Sequence, residues 1–124
     1  MLLRIKRAEK TGFLSLKEFG LKEIPPQVFT ILSLHTLILS QNPIQSIPAE
    51  IKNLKKLKIL HLVKCELADD SIPVDIKDTN IEDIDISYNN LSSLSNILSI
   101  ASLKKLSARH NDILSIQPSD VRPH

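Results

Sequence analysis

The sequence predicts an α/β solenoid of about five coils, with one curved parallel β-sheet on its concave face and irregular or short helical segments on its convex side. One observation is a pattern of apolar residues that begins again at positions 11, 34, 57, 81 and 103. The other is composition: only 3% of the residues are aromatic, so Leu and Ile must fill the core. A constant period with an aliphatic interior is typical of stacked repeats.

The clearest copy of the pattern is LHTLILSQNPI at residues 34–44, which has the register LxxLxLxxNxL. The same register occurs in LKILHLVKCEL at 57–67, in IEDIDISYNNL at 81–91 and in LKKLSARHNDI at 103–113. The segment TGFLSLKEFGL at 11–21 follows it with Phe19 in place of Asn. Five units are therefore visible at a nearly constant spacing.

A short β-strand within LxxLxL would explain the spacing of the apolar residues. Side chains two residues apart on a strand share a face, so Leu37 and Leu39 point inward while Ile38 faces solvent. One interior file is expected to hold Leu37, Leu60, Ile84 and Leu106. The chain must then turn a corner whose buried backbone groups need partners, and a carboxamide both donates and accepts. This predicts a stacked ladder of Asn42, Asn89 and Asn111.

These residues resemble the leucine-rich repeat family. The continuation IPxxI or IPxxV at residues 24–28 and 47–51 is similar to its short intracellular, Ras-group-like type. The resemblance implies units at 11–33, 34–56, 57–80, 81–102 and 103–118, followed by a tail at 119–124. Cys65 takes the Asn position of the third unit and is expected to be a small buried filler. The Ile-Pro pair of that unit comes two places late, after Asp69-Asp70, which predicts a bulge on the solvent side.

Residues 1–10 are expected to form an amino-terminal cap, helical in the prediction, with Leu3, Ile5 and Ala8 on its inner side and its basic residues outward. Membrane contact is not expected, because Glu9 interrupts the basic residues and the apolar side is small. Residues 113–124 show no amphipathic helix that could close the stack. A fragment and a protomer that associates through its carboxyl-terminal end are both consistent with that absence.

The outward positions of each unit, the third, fifth, seventh and eighth, line what we call the concave face. An aliphatic centre there is rimmed by charge and aromatic rings, as protein-binding surfaces require. The predicted partner-binding residues are Ile38, Ile59, His61, Val63, Asp83, Asp85, Tyr88, Arg109 and His110. The competing interpretation is that strands favour β-branched residues and that a few exposed aliphatic side chains are normal.

No enzymatic site is predicted, and no cofactor or metal is expected. Asp83 and Asp85 share a face but have no third ligand, and His61 and His110 lie two units apart with no partner in zinc-ligand spacing. Gly12 and Gly20 are the only glycines, so the sequence has no glycine-rich phosphate loop. The net charge of +2 is scattered along the chain, which gives no support to nucleic acid binding.

The sequence thus favours a non-catalytic scaffold in intracellular signalling that binds a partner protein on its concave face. A cytoplasmic location is expected, because one cysteine cannot form an intrachain disulfide and no long apolar run opens the chain. The alternative is the regulatory leucine-rich repeat portion of a larger signalling enzyme, such as a kinase, a phosphatase or a small-GTPase-linked protein.

Overall fold

The computed structural model describes residues 1–113 and contains one five-stranded sheet in which all neighbouring strands are parallel, in the order β1-β2-β3-β4-β5. Helix α1 (Leu2–Thr11) precedes the sheet. The strands are β1 (Phe13–Ser15), β2 (Thr36–Ile38), β3 (Ile59–His61), β4 (Asp83–Asp85) and β5 (Lys105–Ser107). The return segments contain 3-10 helices at Pro26–Thr30, Ala49–Asn53, Asp69–Ser71 and Val74–Asp78, and a short helix α2 at Ser95–Leu98.

The strand register aligns the middle residues of the strands in one interior file, in the order Leu14, Leu37, Leu60, Ile84 and Leu106. The first four side chains are at most 1% exposed. Leu106 is only half-buried, because no described unit stacks on its outer side. The predicted α/β solenoid with a continuous aliphatic core is confirmed.

Pro starts the return segment in three units. Pro25, Pro48 and Pro73 are the N-cap residues of the three 3-10 helices that follow them, with φ of −55°, −73° and −71°. Proline is tolerated at a helix start, because its φ is fixed near −65° and its missing N–H is not needed there. Their inner residues Val28, Ile51 and Ile76 are completely buried. The fourth unit has no proline at this place and forms α2 instead, with Ile97 inward.

A left-handed residue ends the turn after every strand. The eighth residues of the units, Glu18, Gln41, Lys64, Tyr88 and His110, have φ between 54° and 60°. None is Gly or Asn, so each conformation costs about 1 kcal/mol. Stacking compensates for that cost: four of these five residues donate their N–H to the carbonyl of the seventh residue in the next unit, at 2.8 to 3.2 Å.

Helix α1 covers the first unit in two ways. Ile5 and Ala8 pack into the core, as predicted, but Leu3 is 61% exposed, so its predicted inward position is wrong. At 100° per residue, Leu3 lies opposite the face that Ile5 and Ala8 bury. The helix also occupies the edge of β1, where Arg4 Nη1 donates to the Ser15 carbonyl at 3.1 Å and the Thr11 hydroxyl bonds both backbone groups of Phe13. Occupied edge groups protect the sheet against pairing with another chain.

The concave face as a candidate partner-binding site

An asparagine ladder holds the turns that carry the outer residues of the concave face. Asn42 accepts hydrogen bonds from the N–H groups of Phe19 and Leu21 at 3.0 and 2.9 Å, and donates to the carbonyls of Leu16 and Leu39. Asn89 repeats this arrangement one rung beyond Cys65, and Asn111 repeats it in the last unit. The predicted ladder is confirmed, and it makes the backbone beneath this face rigid.

Cys65 occupies the position of this ladder between Asn42 and Asn89, where the third unit has no carboxamide. Its side chain is completely buried, and the thiol donates to the Leu39 carbonyl at 3.2 Å. Burial raises the pKa of the Cys65 thiol above its ordinary value, so the neutral form prevails. The residue is therefore a buried filler with little thiolate character, as the sequence predicted.

The strand register brings the predicted partner-binding residues onto one face. Ile59 pairs with Asp83, and Ile38 pairs with His61, which in turn pairs with Asp85. One expectation needs correction: Ile38, Ile59 and Val63 are half-buried rather than openly exposed. Side chains at the same position on neighbouring strands stand about 5 Å apart and cover part of each other. Ile38, Ile59 and Val63 thus form a packed apolar patch at the centre of the concave face, which we call the aliphatic floor.

Aromatic and cationic side chains stack along one side of this floor. The rings of Tyr88 and His110 lie 4.3 Å apart between centroids, with planes inclined by 19°. The Lys64 ammonium lies 5.3 Å from the centroid of the Tyr88 ring. Lys64, Tyr88 and His110 all occupy the left-handed eighth position, so the turn geometry aligns them. Tyr88 is 47% exposed.

The charged residues of the face are held in place by local contacts. His61 Nε2 lies 3.8 Å from Asp83 Oδ1, and the Asp85 carboxylate accepts the N–H of Ser87 at 3.0 Å. The Ser87 hydroxyl in turn accepts the N–H of Arg109 at 3.2 Å, while the Arg109 side chain is exposed. The acidic pair therefore sits in the fourth unit, beside an exposed guanidinium in the fifth.

Two features of the concave face lie outside the predicted set of partner-binding residues. Phe13, in the same row as Thr36 and Ile59, is 51% exposed at the edge of the face. Gln41 has a buried side-chain oxygen without a hydrogen-bond partner within residues 1–113. The alternation of the strand gives the outward direction of Phe13, whereas nothing in the sequence indicates the Gln41 orphan. Around Gln41 lies an open groove of about 500 Å³, lined by Ser15, Ile38, His61, Val63 and Tyr88.

Residues 1–113 meet neither the requirements of a metal site nor those of a membrane-spanning helix. Across residues 1–113, no group of three or more His, Cys, Asp or Glu side chains is arranged to hold a metal ion. Within the same residues, no helix has the length and the apolar content needed to cross a bilayer.

Comparisons with known proteins agree with this architecture. A family model described as Leucine Rich Repeat matches residues 33–54. The "Protein flightless-1 homolog" of Caenorhabditis elegans is 32% identical over 104 residues. That match covers 82% of this chain but only 8% of the relative, so the chain spans a small part of the curated protein it matches.

Solved structures show the same fold at low identity. The leucine-rich repeat domain of APL1B superposes with a TM-score of 0.71 at 22% identity, covering 89% of this chain and 35% of that one. A leucine-rich repeat protein of Leptospira interrogans gives 0.63 at 20% identity, over 90% and 34% of the two chains. Internalin C2 of Listeria monocytogenes gives 0.60 at 17%, over 86% and 55%.

The chain is a leucine-rich repeat protein. Domains of this class generally serve as protein-interaction modules.

Proposed function

We propose that this chain is a non-catalytic scaffold that holds a partner protein on its concave face, as part of intracellular signalling in the cytoplasm. The observation that carries the proposal is the stack of Tyr88 and His110 beside the half-buried aliphatic floor. Interfaces derive most of their binding energy from a few aromatic and arginine anchors set against a desolvated centre. Tyr88 and Arg109 are the anchors of that type here.

Rigidity supports the same proposal. The anchors stand on turns fixed by the asparagine ladder and by backbone bonds between units. A surface that is already ordered loses little conformational entropy when a partner binds. The partly buried Ile38, Ile59 and Val63 likewise need little rearrangement before a partner covers them.

A non-catalytic role accounts for the polar residues of the face. Asp83 and Asp85 are engaged by His61 and by the Ser87 N–H, and the His110 ring is stacked. General acid–base chemistry needs groups that converge on one reacting atom, and these groups point along a shallow sheet instead. The single, buried Cys65 fits a reducing compartment.

The experiment is quantitative capture of partner proteins from native lysate by the wild-type chain and by Tyr88→Ala and Arg109→Ala variants. Each variant is expected to lose about tenfold or more in affinity for the captured protein, with melting temperatures within a few degrees of wild type. Val74→Ala is the matched control, because Val74 is 58% exposed in the Val74–Asp78 helix, outside the concave face. Equal capture by all four proteins would overturn the proposal.

A second candidate is the regulatory leucine-rich repeat portion of a larger signalling enzyme, such as a kinase, a phosphatase or a small-GTPase-linked protein. It is favoured by the small fraction, 8%, of the curated relative that the chain covers. The complete reading frame distinguishes the two candidates, since a catalytic domain in the same frame would support the second.

A further inference from the structure

Exposed large apolar side chains concentrate at the amino-terminal end of the described chain. Eight such side chains are exposed within residues 1–113, and five of them belong to helix α1 and the first unit. These five are Met1 at 46%, Leu2 at 69%, Leu3 at 61%, Phe13 at 51% and Phe19 at 40%. Exposed apolar side chains that are grouped in this way mark an interaction site more often than isolated ones do.

Positive charge concentrates at the same end. Residues 1–22 contain six Lys or Arg and two Glu, a formal charge of +4. The other 102 residues contain ten Lys or Arg against twelve Asp or Glu, a formal charge of −2. The net charge of +2 is therefore the sum of a basic amino-terminal end and a slightly acidic remainder. The basic end favours association with an anionic partner.

Leucine and cations share one face of α1. At 100° per residue, Leu3, Lys6, Arg7 and Lys10 lie opposite the face that Ile5 and Ala8 bury, and all four are exposed. Glu9 falls to the side of this outward face. Arg4 is occupied, because it bonds the Ser15 carbonyl and stacks over Phe19 at 5.3 Å. Lys6, Arg7 and Lys10 have no ion-pair partner within residues 1–113.

We propose that the outward face of α1 binds the surface of an anionic membrane. Leu3 on the outward face and the exposed Leu2 at the first position of the helix enter the boundary between headgroups and acyl chains, and Lys6, Arg7 and Lys10 meet lipid phosphates. Lipid is favoured over an acidic protein because two exposed leucines adjoin three long cations on one short helix, and these cations make no ion pair within residues 1–113. Such a helix suits a plane of mobile phosphates above an apolar layer. This site is independent of the concave face.

The inference reverses an expectation drawn from sequence. Membrane contact is not expected from the sequence, because Glu9 interrupts the basic residues and the apolar side is small. The structure turns Leu3 outward and moves Glu9 aside, which removes both reasons. A single short helix gives weak, reversible attachment, as is typical of peripheral membrane contacts.

The test is co-sedimentation of the full chain with vesicles of phosphatidylcholine alone and of phosphatidylcholine with about one third phosphatidylserine. The wild-type chain is expected to sediment with the anionic vesicles only. Arg7→Gln/Lys10→Gln is expected to weaken binding about 25-fold, at about fivefold for each cation removed. Leu2→Ser/Leu3→Ser is expected to weaken it several-fold with all charges kept.

The matched control is Lys56→Gln/Lys77→Gln, which removes two exposed cations outside α1 and the first unit and should leave vesicle binding unchanged. Tyr88→Ala should also bind vesicles normally, which separates this site from the proposed partner site. Absence of binding to anionic vesicles, or equal loss in the Lys56 and Lys77 control, would overturn the inference. Equally tight binding to soluble polyglutamate would overturn it in favour of an acidic protein.

Discussion

The Asn89 carboxamide accepts the backbone N–H of Cys65 at 2.9 Å, while Cys65 occupies the equivalent rung of the preceding unit with a thiol. Two neighbouring units therefore differ at this position: Asn89 makes strong hydrogen bonds as both donor and acceptor, and the Cys65 thiol makes weak ones. Asn89 donates to the Leu62 and Ile86 carbonyls at 2.9 and 2.8 Å and also accepts from the Leu67 N–H. The single S–H of Cys65 faces the Leu39 carbonyl at 3.2 Å and the Val63 carbonyl at 3.7 Å, and a thiol is a weaker donor than a carboxamide. The stability of the stack should be unequal along its length.

Asn89→Ala should lower the free energy of unfolding by about 3 kcal/mol or more, because it leaves several buried backbone groups without partners. Asn80→Ala is the control: Asn80 is exposed and makes one bond, to the Lys55 carbonyl, so its loss should cost under about 1 kcal/mol. Urea denaturation followed by circular dichroism measures both. Equal losses in the two variants would show that the ladder contributes no special stability.

Cys65→Asn should stabilise the fold by about 1 kcal/mol, because a carboxamide of similar size would restore both donor and acceptor functions in the third unit. Cys65→Ala should instead destabilise it by about 1 kcal/mol through lost packing. The comparison uses the same denaturation experiment. A Cys65→Asn variant less stable than Cys65→Ala would mean that the rung cannot accommodate a carboxamide.

Gly12→Ala should cost more stability than Gly20→Ala, although both glycines have φ near +70°. A Cβ on Gly12 would lie 3.0 Å from the Ser33 carbonyl oxygen, whereas nothing lies within 4 Å of one on Gly20. The left-handed conformation alone costs about 1 kcal/mol in each variant. The steric contact should add about 1 to 2 kcal/mol at Gly12. Thermal unfolding of the two variants measures the effect of this contact as the difference between their losses of stability. Similar losses in Gly12→Ala and Gly20→Ala would show that the contact with the Ser33 carbonyl has no such effect.

Asp69 should make the folded protein sensitive to acid. Its carboxylate accepts hydrogen bonds from the Ser92 hydroxyl and from the N–H groups of Ser92 and Ser93, and these bonds lower its pKa. A lowered folded pKa gives stability that is present above the unfolded value, near 3.9, and is lost as pH falls through the folded value. Asp69→Asn should therefore flatten the decline of stability at acid pH.

The matched variant for this experiment is Asp70→Asn, because Asp70 is the exposed neighbour of Asp69 and makes none of these bonds. Melting temperatures measured from about pH 6 to pH 3 cover the relevant range. If the Asp70 variant changes the acid profile as much as the Asp69 variant does, the bonds to Ser92 and Ser93 are not the cause.

Much of the fold could be predicted because it follows from local pattern. The two-residue alternation of strands predicted the interior file from Leu37 to Leu106. The need of the buried turn for hydrogen-bond partners predicted the asparagine ladder. The orientation of Leu3 could also have been predicted, because a helix with 100° per residue places Leu3 opposite Ile5 and Ala8, and assigning all three to one side overlooked that period. The left-handed turn at Lys64 could not be predicted, because no Gly or Asn marks it. The Lys64 N–H donates to the Ser87 carbonyl of the next unit, and that contact between units holds the turn.

The residues that share the concave face could be predicted, but the packing of their side chains could not. Register alone placed Tyr88 beside His110, yet the parallel stacking of the rings depends on side-chain torsions that no sequence pattern specifies. The partial burial of Ile59 also reflects contacts between units, which sequence spacing does not measure. The division into units and the partner-binding role of the face stay predictions, and residues 114–118 of the last unit lie outside the described part of the chain.

The most direct test of the partner-binding face is a methyl NMR titration of the labelled chain with a captured partner protein. The account predicts that the methyl signals of Ile38, Ile59 and Val63 shift or broaden, while those of Val74 and Leu32, which are exposed outside the concave face, stay unchanged. Perturbation of Val74 or Leu32 with unchanged Ile38, Ile59 and Val63 would contradict it, because the partner would then bind elsewhere.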